Sequence, residues 1–159
     1  MISPNHSDFH KLWNVIVFLG GYFGSRLMMN IREDKGYTYG IKASLISLLD
    51  ESYMIIKTSV KKGYHELICD EINKEIHRLQ HEYVSDEELL NFKQFFTGEV
   101  LNMISMPFST VYQYYNILSK NLQFTYYTDR FNSIINLTKE DILSISQKYL
   151  NDFKIVIIG

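Results

Sequence analysis

The chain has 159 residues, 46% of them hydrophobic and 14% aromatic, which is enough for one domain with a sizeable core and too few for two typical ones. Sixteen basic residues against eighteen acidic ones give a formal net charge of −2, so neither a nucleic-acid partner nor an acidic membrane surface has electrostatic support. A single cysteine, Cys69, excludes an internal disulfide and leaves no Cys/His cluster for a structural zinc.

Near the start, Phe9, Leu12, Trp13, Ile16, Val17 and Leu19 recur at helical spacing, which predicts a core-facing helix from Ser7, as cap, to the Gly20-Gly21 stop. The run "LWNVIVFLGG" within it is too short for a membrane span and lacks the basic flank and small-residue cleavage site of a signal peptide. A short helix is expected over "GSRLMMNIRED". Two β-rich runs follow, "GYTYGIKASLISL" and "ESYMIIKTSV", joined at about "LDES" as a hairpin.

Tyr64 to Tyr83 reads as a long amphipathic helix with Ile68, Ile72, Ile76, Leu79 and Tyr83 along one stripe. Ser85-Asp86-Glu87-Glu88 is a capping box for a helix running towards Met106, which Pro107 ends. Helices are also expected over "FSTVYQYYNILSKNL", over "YTDRFNSIINL" and behind the Thr138-Asp141 cap; the closing "FKIVIIG" reads as a buried strand. A hairpin, several helices and a late returning strand predict an α+β domain with helices packed on one face of a sheet.

Three constellations bear on chemistry. "VIVFLGGYFGSRL" imitates a dinucleotide fingerprint, but its spacing is G-G-x-x-G, a helix and not a strand precedes it, and no acidic residue ends a second strand downstream. Gly20 and Gly21 as left-handed helix terminators, with Gly24 opening the next helix, account for the same residues without a ligand. His77-Arg78-Leu79-Gln80-His81 resembles the H-x-x-E-H of the inverted zinc peptidases, yet glutamine cannot serve as the base. Both histidines fall opposite the apolar stripe, on the solvated face. His6, His10 and His65 are scattered, and Cys69 beside that stripe reads as packing.

The third constellation is "LGGYFGSRL" and "NIREDKGYTYG" together with the closing "IVIIG". These segments resemble the C-terminal, zinc-free domain of the pitrilysin/insulinase family of zinc metallopeptidases, which includes mitochondrial processing peptidase. The resemblance implies a mixed, largely antiparallel sheet covered by helices, a metallopeptidase half-domain of the processing-peptidase-like type. It implies one domain over residues 1–159, excised from a longer chain and lacking its first strand. It also implies a clamshell in which a zinc-bearing H-x-x-E-H half, in the same polypeptide or a separate subunit, closes on a peptide substrate against this chain. Zinc is then expected on that partner half and no metal on this one, and the setting is a soluble protein of the bacterial cytoplasm or periplasm.

In the zinc-free half of that family an arginine is followed by a tyrosine seven positions later. Arg32 and Tyr39 match this separation and are the expected substrate-binding or transition-state donors; no complete catalytic set is expected in the chain. Physically, an arginine near the end of a short helix and a tyrosine on the next strand can converge across a turn at Lys35-Gly36. Two alternatives stay open: Arg32 paired with Asp34 or another carboxylate and Tyr39 as one more core aromatic, or a binding or assembly module without peptidase participation. A homodimer along an unfilled sheet edge is also left open.

Overall fold

The computed structural model describes residues 2–48 and 51–158. Helix α1 (Phe9–Gly20) is its centre, with Val15, Ile16, Phe18 and Leu19 fully buried. A π-helical segment (Met28–Asp34) leads into strand β1 (Thr38–Leu48), which pairs antiparallel with β2 (Glu51–Val60). Leu49 and Asp50, in the expected "LDES" turn, lie outside the described residues. Helices α2 (His65–His81), α3 (Asp86–Ser105), α4 (Pro107–Ser119), α5 (Tyr126–Ile135) and α6 (Lys139–Tyr149) complete an α+β fold. One layer is the hairpin; the other is built on α1, which packs on β1 and is flanked by α5 and α6.

Local signals explain most helix boundaries. Ser85 and Thr138 each close a full capping box, with Glu88 and Asp141 as the reciprocal residues. Pro107 occupies the first position of α4, where its missing N–H costs nothing. The box residue Glu88 also receives a two-pronged guanidinium bond from the buried Arg26, at 3.0 and 3.2 Å. Burial of Glu88 opposes its ionisation, but the Arg26 and Ser85 bonds prevail and hold its carboxyl below the ordinary range.

Several expectations are corrected. Ser7 does not cap α1: the N-cap is Asp8, which makes no side-chain cap bond, its carboxylate accepting instead from Lys148 (2.7 Å) and Tyr149 (2.8 Å) on α6. A tertiary tie thus replaces the local one. Tyr83 leaves the apolar stripe because α2 ends at His81 and the chain turns extended at Glu82, so Val84 takes the buried place. The closing run forms no strand: residues 151–158 have no ladder partner among the described residues and Phe153–Ile158 are exposed. An apolar run of that kind is stable as a strand only with neighbours on its edges and cover on its faces, and the described sheet is the hairpin alone.

Gly20 and Gly21 also act differently from the expectation. Gly21 has φ −95°, so neither left-handed geometry nor a helix stop by chirality is involved. The glycines permit close approach. A Cβ on Gly20 would lie 2.8 Å from Ala43 Cβ and 3.0 Å from Ala43 N on β1, and one on Gly21 would lie 2.6 Å from Val17 Cα. Gly20→Ala is therefore expected to destabilise the chain by about 1–3 kcal/mol, through overpacking against a backbone that cannot swing aside. Gly98→Ala, in open space within α3, should stabilise it by about 0.5–1 kcal/mol. Urea unfolding of both variants tests this; similar effects of the two would refute the close-approach assignment.

Candidate substrate-contact site

The π-helical segment carries Arg32 and is fastened from below and from one side. Leu27 and Ile31 anchor it in the core with no exposed surface. Asn30 Nδ2 donates to Glu75 Oε1 at 2.7 Å and to Glu71 Oε2 at 3.2 Å, both on α2. Lys35, at the C-terminal end of the segment, pairs with Glu71, which also accepts from Lys74 at 2.7 Å; Arg78 donates to both oxygens of Glu75. Bonds from Lys35 and Lys74, aided by Asn30, hold the Glu71 carboxyl down to about 2 against the opposing effect of burial. Two carboxylates on successive turns of α2 thus hold a rare, wide helical turn at Asn30 and at Lys35, just past its C-terminal end, a geometry that recurs at functional sites.

The segment closes by Gly36 N–H donating to Arg32 C=O (3.1 Å) and Tyr37 N–H to Ile31 C=O (3.0 Å), with Gly36 at φ +62°. This is the turn expected at Lys35-Gly36. Arg32 stands half-buried on its outer side, its guanidinium 5.0 Å from the Phe23 ring centre and its Nη1 3.3 Å from Glu33 Oε1. Its carboxylate neighbour is thus Glu33, which agrees with the alternative in which Arg32 pairs with a carboxylate close in sequence.

Tyr39 owes its position to a β-bulge. Ile41 pairs with Thr58 and Thr38 with Val60, so Tyr39 and Gly40 together oppose the single Ser59. Beyond the bulge, Ile41 and Ala43 face the core, and unbroken alternation would turn Tyr39 inward with them. The extra residue reverses the parity. Tyr39 is 93% exposed, whereas Tyr37, just before the strand, is half-buried with its ring 5.5 Å from that of Tyr64. Tyr37 and Tyr39 do not share a face, and Tyr39 is not a core aromatic.

Hydroxyls lock the bulge. Thr38 Oγ1 donates to Ser59 C=O at 2.7 Å and accepts from Gly40 N–H at 3.2 Å, while Thr58 Oγ1 lies 3.0 Å from both Thr38 Oγ1 and Gly40 C=O. The backbone groups that the bulge removes from the ladder thereby keep partners. These residues, with Tyr39 and Lys57, line an open cleft of about 410 Å³. Arg32 and Tyr39 make no hydrogen bond to each other; both side chains are left with surface facing solvent. Periodicity could not reveal the bulge, although Thr-x-Gly facing Thr across the hairpin was a legible hint.

His77 and His81 are exposed, with rings stacked at 4.0 Å, and His81 Nδ1 bonds the His77 carbonyl at 2.8 Å. Among the described residues no group of three or more His, Cys, Asp or Glu is arranged to hold a metal ion. Gly20, Gly21 and Gly24 serve helix–sheet approach and the following turn. Cys69 is half-buried and unbonded. No helix among the described residues is long and apolar enough to cross a membrane.

Residues 7–95 match the family model described as the peptidase M16 inactive domain. No curated protein sequence matches the chain significantly. Among solved structures, a peptidase M16 inactive domain from Pseudomonas fluorescens is similar at 23% identity and a TM-score of 0.80, over 94% of this chain and 36% of that one. A protease from Helicobacter pylori is similar at 17% identity and a TM-score of 0.85, over 96% of this chain and 37% of that one. The inactive peptidase domain of a protein assigned as a zinc protease, from Bordetella parapertussis, gives 13% identity and a TM-score of 0.76, over 94% and 80%. At these identities the likeness is one of fold, and the chain spans little more than a third of the length of the first two.

The carboxylate clamp has a pH signature. Because the folded-state pKa of Glu71 lies below its ordinary value of 4.5, its ionised form contributes stability that is present above that pH and lost as pH falls towards about 2. The difference in melting temperature between the native chain and Glu71→Gln should be widest above pH 4.5 and shrink on acidification. A difference independent of pH would contradict the clamp.

Proposed function

The chain belongs to the peptidase M16 inactive-domain family, and we propose that it forms the non-catalytic wall of a clamshell zinc peptidase, presenting Arg32 and Tyr39 to a bound peptide. The observation that carries this reading is the hydroxyl-locked bulge, which holds a 93% exposed phenol just across a tight turn from an arginine-bearing, doubly clamped segment. An exposed tyrosine whose backbone is already fixed has only its side-chain rotamer freedom to lose when it meets a ligand. That is what a binding contact requires and a core aromatic does not.

The described residues offer no ligand set for zinc; in this reading the metal and the water it activates belong to a companion H-x-x-E-H half, and no metal-dependent step is assigned to this chain. Its own residues supply hydrogen-bond donors. A guanidinium, charged throughout the physiological range, and a phenol O–H can both donate to a peptide carbonyl oxygen, and more strongly once that oxygen gains negative charge as the amide is attacked. Placing them on the wall opposite the reacting centre also fixes the peptide between the two halves.

With the zinc-bearing half present, Arg32→Ala and Tyr39→Phe are each expected to lower kcat/KM by on the order of 10- to 1,000-fold with folding intact. Thr58→Val, which removes the bulge lock, should follow Tyr39→Phe; Thr58→Ser should retain activity. Tyr37→Phe is the control, since that ring packs with Tyr64 and is expected to be nearly neutral. Peptide hydrolysis kinetics decide the matter. Unchanged turnover in both Arg32→Ala and Tyr39→Phe would remove the donor role and favour an assembly module with the same fold.

A further inference from the structure

The hairpin face turned away from α1 carries unbalanced positive charge. On β1, Ile41 and Ala43 point to the core, so Lys42 between them points out. On β2, Ile56 packs against the core and Lys57 beside it points out in the same way. The register sets these two exposed lysines directly opposite each other. Like charges on one rung, with Cβ atoms about 5 Å apart, repel and weaken strand pairing.

Nothing on the chain relieves that repulsion. Neither lysine has an ion-pair partner among the described residues. Glu51, the acid on this face among the described residues, lies opposite Leu48, six residues and about 20 Å along the strand from Lys42. Lys61 and Lys62, exposed just past the end of β2, add to the positive field. Blunting a sheet edge against aggregation calls for a lysine on each strand, and is not served by placing both on one rung.

The pair is continuous with the cleft at the bulge. Lys57 lines that cleft together with Tyr39, and the Lys42–Lys57 rung is the first outward-facing one beyond the bulge. From Tyr39 to Lys42 is about 10 Å of strand, the span of three residues of an extended peptide. We propose that Lys42 and Lys57 form a subsite for an acidic side chain, so that the wall selects peptides carrying aspartate or glutamate about three residues from the carbonyl that Tyr39 contacts. This rests on the reading in which Arg32 and Tyr39 face a bound peptide. A carboxylate between the two ammonium groups cancels their repulsion and gains two charged hydrogen bonds, which neither a neutral nor a basic side chain does.

Hydrolysis of a peptide series tests the subsite with the zinc-bearing half present. The peptides are identical and otherwise uncharged, with Glu or Gln placed at one position at a time. At the favoured position, kcat/KM for the Glu peptide should exceed that for its Gln counterpart by about 3- to 10-fold at low salt, as two exposed ion pairs allow. Salt at about 1 M should bring this ratio close to 1. Lys42→Gln with Lys57→Gln should also bring it close to 1, and Lys42→Glu with Lys57→Glu should invert it. Arg32→Ala and Tyr39→Phe are expected to lower both rates and keep the ratio, so the donor role and the subsite are judged by separate readouts. A ratio near 1 at every position in the native chain would overturn the proposal, as would a Glu preference that the lysine variants retain. Lysine variants that lose turnover on Glu and Gln peptides alike, with weaker association of the two halves, would also overturn it and make the pair a contact to the companion domain.

Discussion

One extra residue in β1 governs the exposed face of the hairpin. Side chains on a strand alternate, so a single insertion reverses every position on one side of it. Here the reversal falls between Thr38 and Ile41, where it leaves the core positions Ile41 and Ala43 undisturbed and turns Tyr39 out. The lock is made of short side chains: Thr38 and Thr58 supply donors and acceptors for the backbone that the insertion unpairs. The face of the strand from which the Tyr39 side chain leaves is therefore a property of backbone register.

The neighbouring segment is fixed by a different kind of force. Asn30 and Lys35 bond buried or half-buried carboxylates on α2, and the apolar side of the segment is anchored by Leu27 and Ile31. Behind both lies α1, joined to α6 by Asp8 with Lys148 and Tyr149 and by Lys11 with Asp141, and to α5 by Asn14 with Ser133. Gly20 lets the end of α1 come within contact distance of Ala43 on β1. The rigid parts therefore converge beneath the stretch from Arg32 to Tyr39, while the apolar exposed surface is concentrated on α4 and the closing run.

What the sequence revealed divides along the range of the interactions involved. Both capping boxes and the break at Pro107 between α3 and α4 were legible because these signals are local in the chain. The hairpin was legible from composition. The α1 cap was not, because Asp8 is engaged by residues about 140 positions away. Glu71 and Glu75 sit buried on a helix whose apolar stripe alone was read, since their partners Asn30 and Lys35 belong to another element. The closing "FKIVIIG" had a strand's composition without a strand's neighbours. The bulge stayed hidden because Tyr37, Tyr39 and Ile41 look like regular alternation until pairing with Thr58 and Val60 is known.

The outward turn of Tyr39 is the centre of this account and can be measured in the folded chain without a substrate. Brief nitration of tyrosines under native conditions, followed by mass mapping of the tryptic fragment 36–42, compares Tyr37 and Tyr39 within one peptide. Modification at Tyr39 with Tyr37 spared is the predicted result. Protection of Tyr39 together with Tyr37 would mean regular strand alternation through this stretch, with both rings turned inward beside Ile41, and would contradict the bulge and the site built on it.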